Sequence, residues 1–223
     1  FNRLQRYDES NIDAFGNTSL KEWRAERYDR ADRAERYTQK NIDADGNVTS
    51  TLWTAGLPGK TGDAGYNRLG QLVGYTEEFT DQWGQTHRKL WADGRYDDFG
   101  NLSSFLEFNI DPAGGTSKKV WTGGLYDTHN RLTEYGETWY ALDAPQPTAG
   151  HALEWEDTRD AESRRVQSHQ WTAGEYDRFS RLLGFTDITR PPTGETGTVK
   201  ESAATYDTYH RKLAFTTESK GPE

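Results

Sequence analysis

The amino-acid sequence predicts an all-β fold: a single array of repeated antiparallel β-hairpins, about 14 strands in all, forming an extended, spiralling or shell-like sheet. Three observations carry this expectation. A Tyr that opens a tight turn recurs at Tyr28, Tyr66, Tyr96, Tyr126, Tyr176 and Tyr206, with spacings of 38, 30, 30, 50 and 30 residues. A Trp stands five residues ahead of that Tyr at Trp23, Trp91, Trp121 and Trp171. The two turns of each unit share one pattern: an acid, two variable residues, a residue that tolerates positive φ, then usually Asn, Gln or Arg. Regular recurrence of this kind is the mark of a repeat architecture.

The elements follow in chain order. A half unit opens the chain, with Arg3, Leu4, Tyr7 and Glu9 in the register of the later units. The first acid-side turn is "IDAFGN" (12 to 17), followed by "IDADGN" (42 to 47), "TDQWGQ" (80 to 85) and "IDPAGG" (110 to 115). Trp53 keeps the Trp place once an 8-residue insertion is removed, and Glu201 takes that place in the last unit. The fourth turn position is Gly16, Gly46, Gly70, Gly84, Gly100 or Gly114, and elsewhere Asp32, Asn130, Ser180 or His210. Gly reaches positive φ without steric cost, and Asn, Asp and His are the side chains that best tolerate it. Each 30-residue unit therefore predicts two strands of about 10 residues and two tight turns. The stretch "AERYDRADRAERYTQ" (25 to 39) has a helical composition, but its place in the repeat overrides that weak preference.

If the first and last residues of each turn face one another, the strand register follows. Tyr7 lies opposite Trp23, Tyr37 opposite Trp53, Tyr75 opposite Trp91 and Phe105 opposite Trp121. On the other side, Ala25 meets Tyr37 and Gly123 meets Tyr135. Such opposed rings contribute up to ~1 kcal/mol per pair. The ring face also carries a recurring acid at Glu77, Glu107 and Glu137, while Leu72, Leu102, Leu132 and Leu182 fall on the opposite face.

Composition sets outer bounds. Hydrophobic residues are only 32% of the 223, yet aromatics reach 13%, which rules out a disordered chain and a thick Leu-rich core alike. The net charge of -9 and pI near 5.1 leave no basic stripe for phosphates, so nucleic acid is not an expected partner. No apolar run is long enough to span a bilayer, and a mean hydropathy of -1.03 disfavours the outward apolar band of a membrane barrel. Propeller blades would need about 40 residues and four strands per unit. Cys is absent, so disulfides and thiol chemistry are excluded. The chain begins inside the repeated pattern, and the expectation is a fragment of a longer protein with one array over 1–223, interrupted by insertions at 57–65 and 143–163.

Few motifs suggest chemistry. "NIDADGNVTSTL" (41 to 52) has Asn41, Asp43, Asp45 and Gly46 where a calcium loop has its first ligands and Gly, but Leu52 stands where a bidentate Glu is needed. The turn pattern explains this stretch without a metal, and neither metal nor cofactor is expected. The five His, at 87, 129, 151, 169 and 210, share no repeat position. The acids recur on a regular wall, where paired catalytic carboxylates would be one unique pair in a cleft. An enzyme is therefore not expected. "LPGKTGDAG" (57 to 65) lacks the first Gly and the following helix of a P-loop. The candidate ligand-binding residues are the row Trp23, Trp53, Trp91, Trp121 and Trp171, with Trp155 and His151 in the 143–163 insertion. Exposed aromatics stack on flat rings, by analogy with base-stacking platforms.

"YDTHNRLTEYGE" (126 to 137), "YDDFGNLSSFLE" (96 to 107), "YDRFSRLLGFTD" (176 to 187) and "YNRLGQLVGYTE" (66 to 77) resemble the YD repeats of Rhs-family proteins. The likeness extends over nearly the whole chain outside the insertions. It implies long antiparallel strands that spiral into a hollow shell, as in bacterial polymorphic toxins, insecticidal toxin complexes and teneurins. In such toxins the shell encloses a toxic C-terminal piece. This chain departs from the family in its longer, 30-residue period and in lacking the Asp-Pro-rich self-cleaving end, so no protease or toxin role is carried over. The expected function is architectural: a wall of hairpins in a large bacterial surface or secreted protein, located extracellularly or at the cell surface. The alternatives are a carbohydrate-binding or adhesion module and a shell segment around a toxin. The expected partners are neighbouring repeats of the same chain, and beyond these carbohydrate or an enclosed toxin domain.

Overall fold

The computed structural model describes residues 3–57, 65–142, 165–192 and 196–221. Among these residues there are 13 strands and no helix. The strands are β1 (Arg6–Ile12), β2 (Thr18–Tyr28), β3 (Ala34–Ile42), β4 (Val48–Ala55), β5 (Tyr75–Thr80), β6 (Thr86–Tyr96) and β7 (Leu102–Ile110). They continue as β8 (Thr116–Tyr126), β9 (Leu132–Leu142), β10 (Arg165–Ala173), β11 (Phe185–Arg190), β12 (Gly197–Tyr206) and β13 (Lys212–Lys220). They pair in sequence order in one sheet, the meander that the repeat predicts. The count is 13 because the opening half unit supplies one strand and each of the six Tyr turns joins two. Residues 25–39, helical in composition, form the end of β2, a turn and the start of β3.

The turns follow the grammar read from the sequence. In the first, the Asp13 N–H donates to the Asn17 carbonyl at 3.0 Å and the Gly16 N–H to the Asp13 carbonyl at 3.1 Å. One carboxylate oxygen of Asp13 accepts the N–H groups of Phe15 and Asn17 at 2.8 and 2.9 Å. A short acceptor placed first can thus satisfy donors that the bend turns away from the sheet. The fourth position has positive φ at each site named from the sequence, from 79° to 93° at Gly16, Gly46, Gly70, Gly84, Gly100 and Gly114. The non-glycines comply too, with Asp32 at 63°, Asn130 at 58°, Ser180 at 62° and His210 at 63°.

The pairing register also matches. Tyr7 is opposite Trp23, Tyr37 opposite Trp53, Tyr75 opposite Trp91 and Ala25 opposite Tyr37. The sequence did not suggest the bulges near the Tyr-turn end of the Trp strands. Asp93, Gly123 and Ala203 have positive φ of 52°, 68° and 55°, and the ladder slips by a residue between Ser202 and Thr205. Each extra residue bends the strand and strengthens its twist. The bend brings the Trp ring over the backbone beyond the bulge. A Cβ at Gly94 would lie 2.3 Å from Cη2 of Trp91, and one at Gly124 at the same distance from Cη2 of Trp121. Gly is needed at both places because the indole occupies the space of a side chain.

The described residues divide into two compact units. The first takes residues 3–57, 65–94 and 107–117, and the second takes 95–106, 118–142, 165–192 and 196–221. Neither is a thick globule. No large side chain among the described residues falls below 2% exposure, and the buried apolar set is led by Trp53, Trp91 and Trp121. The strand contacts within each unit join sequence neighbours, so burial there comes from adjacent strands.

Candidate functional site

The aromatic face forms stacks. In the first unit the rings run Tyr7–Trp23–Tyr37–Trp53–Tyr75–Trp91, with successive centroids 5.6, 5.5, 5.2, 5.7 and 5.7 Å apart. In the second they run Phe105–Trp121–Tyr135–Trp171–Phe185, at 5.3, 5.7, 5.4 and 6.3 Å. The sequence reading paired each Trp with the ring directly opposite it. The Trp also meets the diagonal ring of the next strand, because residues two apart across a twisted pair come within reach of large side chains. Pairs therefore merge into ladders. Offset stacks at these separations are worth about 0.5–1.5 kcal/mol per pair beyond the area they bury.

This placement bears on the ligand candidates. Trp23, Trp53, Trp121 and Trp171 each have a ring stacked or tilted against both sides, and Trp91 stacks on Tyr75. Trp53, Trp91 and Trp121 are 8%, 8% and 7% exposed. Ring faces engaged with each other have no room for a sugar between them, so the arrangement favours cohesion. Trp155 and His151 lie outside the described residues.

The recurring acids face bases. Glu9 pairs with Lys21, Glu77 with Lys89 and Glu137 with His169 across the acid-side hairpins. The Glu77 and Lys89 charges are 3.8 Å apart. An open groove of about 490 Å³ lies beside them, lined by Phe79, His87, Asn109, Asp111 and Ser117 among others. Asp43 uses its carboxylate on the N–H groups of Asp45 and Asn47, at 2.9 and 2.8 Å, which is the turn role expected for "IDADGN".

The Tyr-Asp turns hold a device that sequence reading missed. Arg131 donates to the Asp127 carboxylate at 2.6 Å and to the Asp177 carbonyl of the following turn at 3.4 Å. Its guanidinium lies 4.6 Å from the ring centroid of Tyr176, whose hydroxyl donates to the Leu132 carbonyl at 2.6 Å. Arg181, Asp177, Tyr206 and Leu182 repeat the set, with the ring at 4.9 Å and the hydroxyl bond at 2.6 Å. Arg33 lies 4.4 Å from the Tyr66 ring, and the Tyr66 hydroxyl bonds the Ala34 carbonyl at 3.0 Å. Tyr126 reaches the Leu102 carbonyl at 2.9 Å, with Asn101 in the Arg place. The spacing of Tyr, Asp, Arg and Leu is thus a staple between successive hairpins, combining ion pair, cation–π contact and hydrogen bond. The Arg five residues after Tyr126, Tyr176 and Tyr206 was the available signal. It needed the next repeat, 30 or 50 residues on, to make sense.

Electrostatics follow from these contacts. The hydrogen bond from the Arg131 side chain, joined by the N–H groups of Arg131 and His129, holds the Asp127 carboxyl down at about 2. Burial in the ladder pushes the Tyr75 phenol up to about 12, with Glu77 and Glu107 adding to the shift. Tyr37 and Tyr135 move the same way for the same first reason.

A second missed feature is the turn tips. The third turn position of the second unit carries Phe99, His129, Phe179 and Tyr209 on four Tyr turns, all exposed. Successive tips are two strands apart, roughly 9–10 Å. No protein-family model matches the chain, and no curated protein matches it either.

Proposed function

We propose that this chain is an architectural module, a wall of hairpins whose role is to build and hold a surface rather than to catalyse a reaction. The ring ladders carry this reading: the largest apolar groups are committed to joining one strand to the next. The Tyr-Asp staples support it, since they spend their charged groups on the following turn. A repeat array gains stability from such neighbour-to-neighbour terms. The likeness of the turns to YD repeats points the same way, toward a segment of a larger extracellular or surface protein. The coding sequence on either side tests this directly. Further Tyr-Asp units in the same register support the wall, and an unrelated enzyme fold enclosing these residues as an insert overturns it.

A carbohydrate-binding or adhesion role is the second reading, favoured by one observation: the exposed row Phe99, His129, Phe179 and Tyr209. These rings are exposed, whereas the ladder Trp53, Trp91 and Trp121 are buried. A glycan array separates the readings. The wall expects no retention; retention that disappears when the four tips are replaced by Ser establishes the second reading.

A further inference from the structure

We propose that the ring ladders have a second activity, the conduction of oxidising equivalents along the sheet by hopping between Trp and Tyr. The chain has no Cys and no Met, so its indoles and phenols are its most easily oxidised side chains. In the first unit six such rings are consecutive, each step 5.2 to 5.7 Å between centroids. Electron tunnelling falls steeply with distance. Five short steps therefore outpace one jump over the roughly 24 Å that five strand spacings cover. The second unit is built differently. There Trp121, Tyr135 and Trp171 are flanked by Phe105 and Phe185. Benzene rings are far harder to oxidise than indole or phenol, so they confine a hole to the three rings between them. One unit is a long path and the other a short trap.

The substrate class is the diffusible one-electron oxidant. An indole gives one electron to the oxidant and its N–H proton to water, leaving a neutral indolyl radical. The neighbouring Tyr then gives one electron to the indolyl. Its phenolic proton goes to water and a proton returns to the indole nitrogen. The net transfer is one electron and one proton, with no bond formed between rings.

The test is pulse radiolysis of the 223-residue chain with the azidyl radical, which oxidises Trp. The expected result is a first-order decay of the indolyl band with a matching rise of the tyrosyl band, at a rate independent of protein concentration. Replacing Tyr7, Tyr37, Tyr75 and Tyr135 by Phe keeps every ring and is expected to abolish this fast phase. Tyr209→Phe, at an exposed tip, is expected to leave it unchanged. Tyr135→Phe alone guards against misfolding of the fourfold variant. It removes the one oxidisable ladder ring between Trp121 and Trp171 and should lower the fast amplitude by the share of these two among the five ladder Trp. A wild-type chain without intramolecular transfer overturns the proposal. So does a fourfold variant, intact by near-ultraviolet circular dichroism, that converts at the wild-type rate.

Discussion

Trp53 and Glu201 occupy the same place in the repeat and are both 8% exposed, yet they hold their strands by different means. Trp53 lies between Tyr37 and Tyr75, at 5.2 and 5.7 Å. Glu201 lies opposite Phe185 and meets Lys212, whose ammonium is 2.5 Å away. Beyond it Phe215, the next ladder ring, is 54% exposed, and every residue of β13 is exposed. The hairpin still forms. Asp207 still pairs with Arg211 at 2.7 Å and His210 still has a φ of 63°. Backbone pairing and turn chemistry therefore define the hairpins, while the rings decide how firmly one hairpin adheres to the next. An ion pair in the ring slot regains little, because desolvation offsets much of its attraction.

The comparison breaks most visibly at Trp53. Trp53→Ala removes a ring stacked on both sides and should cost about 3–5 kcal/mol in urea denaturation of the chain. Glu201→Trp sharpens it from the other side. A ring there rejoins Phe185 to Phe215 and should stabilise the chain by about 1 kcal/mol, with Phe215 becoming protected from solvent. A smaller effect belongs to the staples: Tyr206→Phe loses the hydroxyl bond to Leu182 but keeps the ring under Arg181, for a cost of about 0.5–1.5 kcal/mol. The mildest test is pH. The Asp127 carboxyl is held at about 2 against an ordinary 3.8, so its contribution is complete above 3.8 and is lost as pH falls through about 2. The Tyr75 phenol is raised to about 12 from 10.0, so its contribution is complete below 10.0 and is lost as pH rises through about 12. Acid should loosen the turns and alkali the ladder, seen as separate changes in far- and near-ultraviolet circular dichroism. Asp127→Asn should remove its share of the acid limb, and Tyr75→Phe its share of the alkaline one.

Much of the fold was legible in the sequence because the turns are local. An Asp that caps its own bend and a Gly at positive φ act within five residues, so Asp13 to Asn17 can be read without knowing the partner strand. From two such turns the register of Tyr37 against Trp53 follows by counting. What escaped is what depends on the third dimension. The diagonal contact of Trp23 with Tyr37 arises from sheet twist, which no count of residues supplies. Arg131 and Tyr176 are 45 positions apart, across the 143–163 insertion, and their staple is invisible within one unit. The bulge at Ala203 falls on a residue with no preference for positive φ, and Asp93, which tolerates it, stands outside the turn pattern, so neither left a signal. The division into two compact units likewise has no boundary in composition.

The central claim is that ring-on-ring contact joins neighbouring strands, and a double-mutant cycle on Tyr37 and Trp53 with Leu replacements measures it. Leu keeps apolar bulk in each place, so the coupling isolates the stack. The account predicts a favourable coupling of about 0.5–1.5 kcal/mol. A coupling within about 0.3 kcal/mol of zero, with each single change still destabilising, would contradict it.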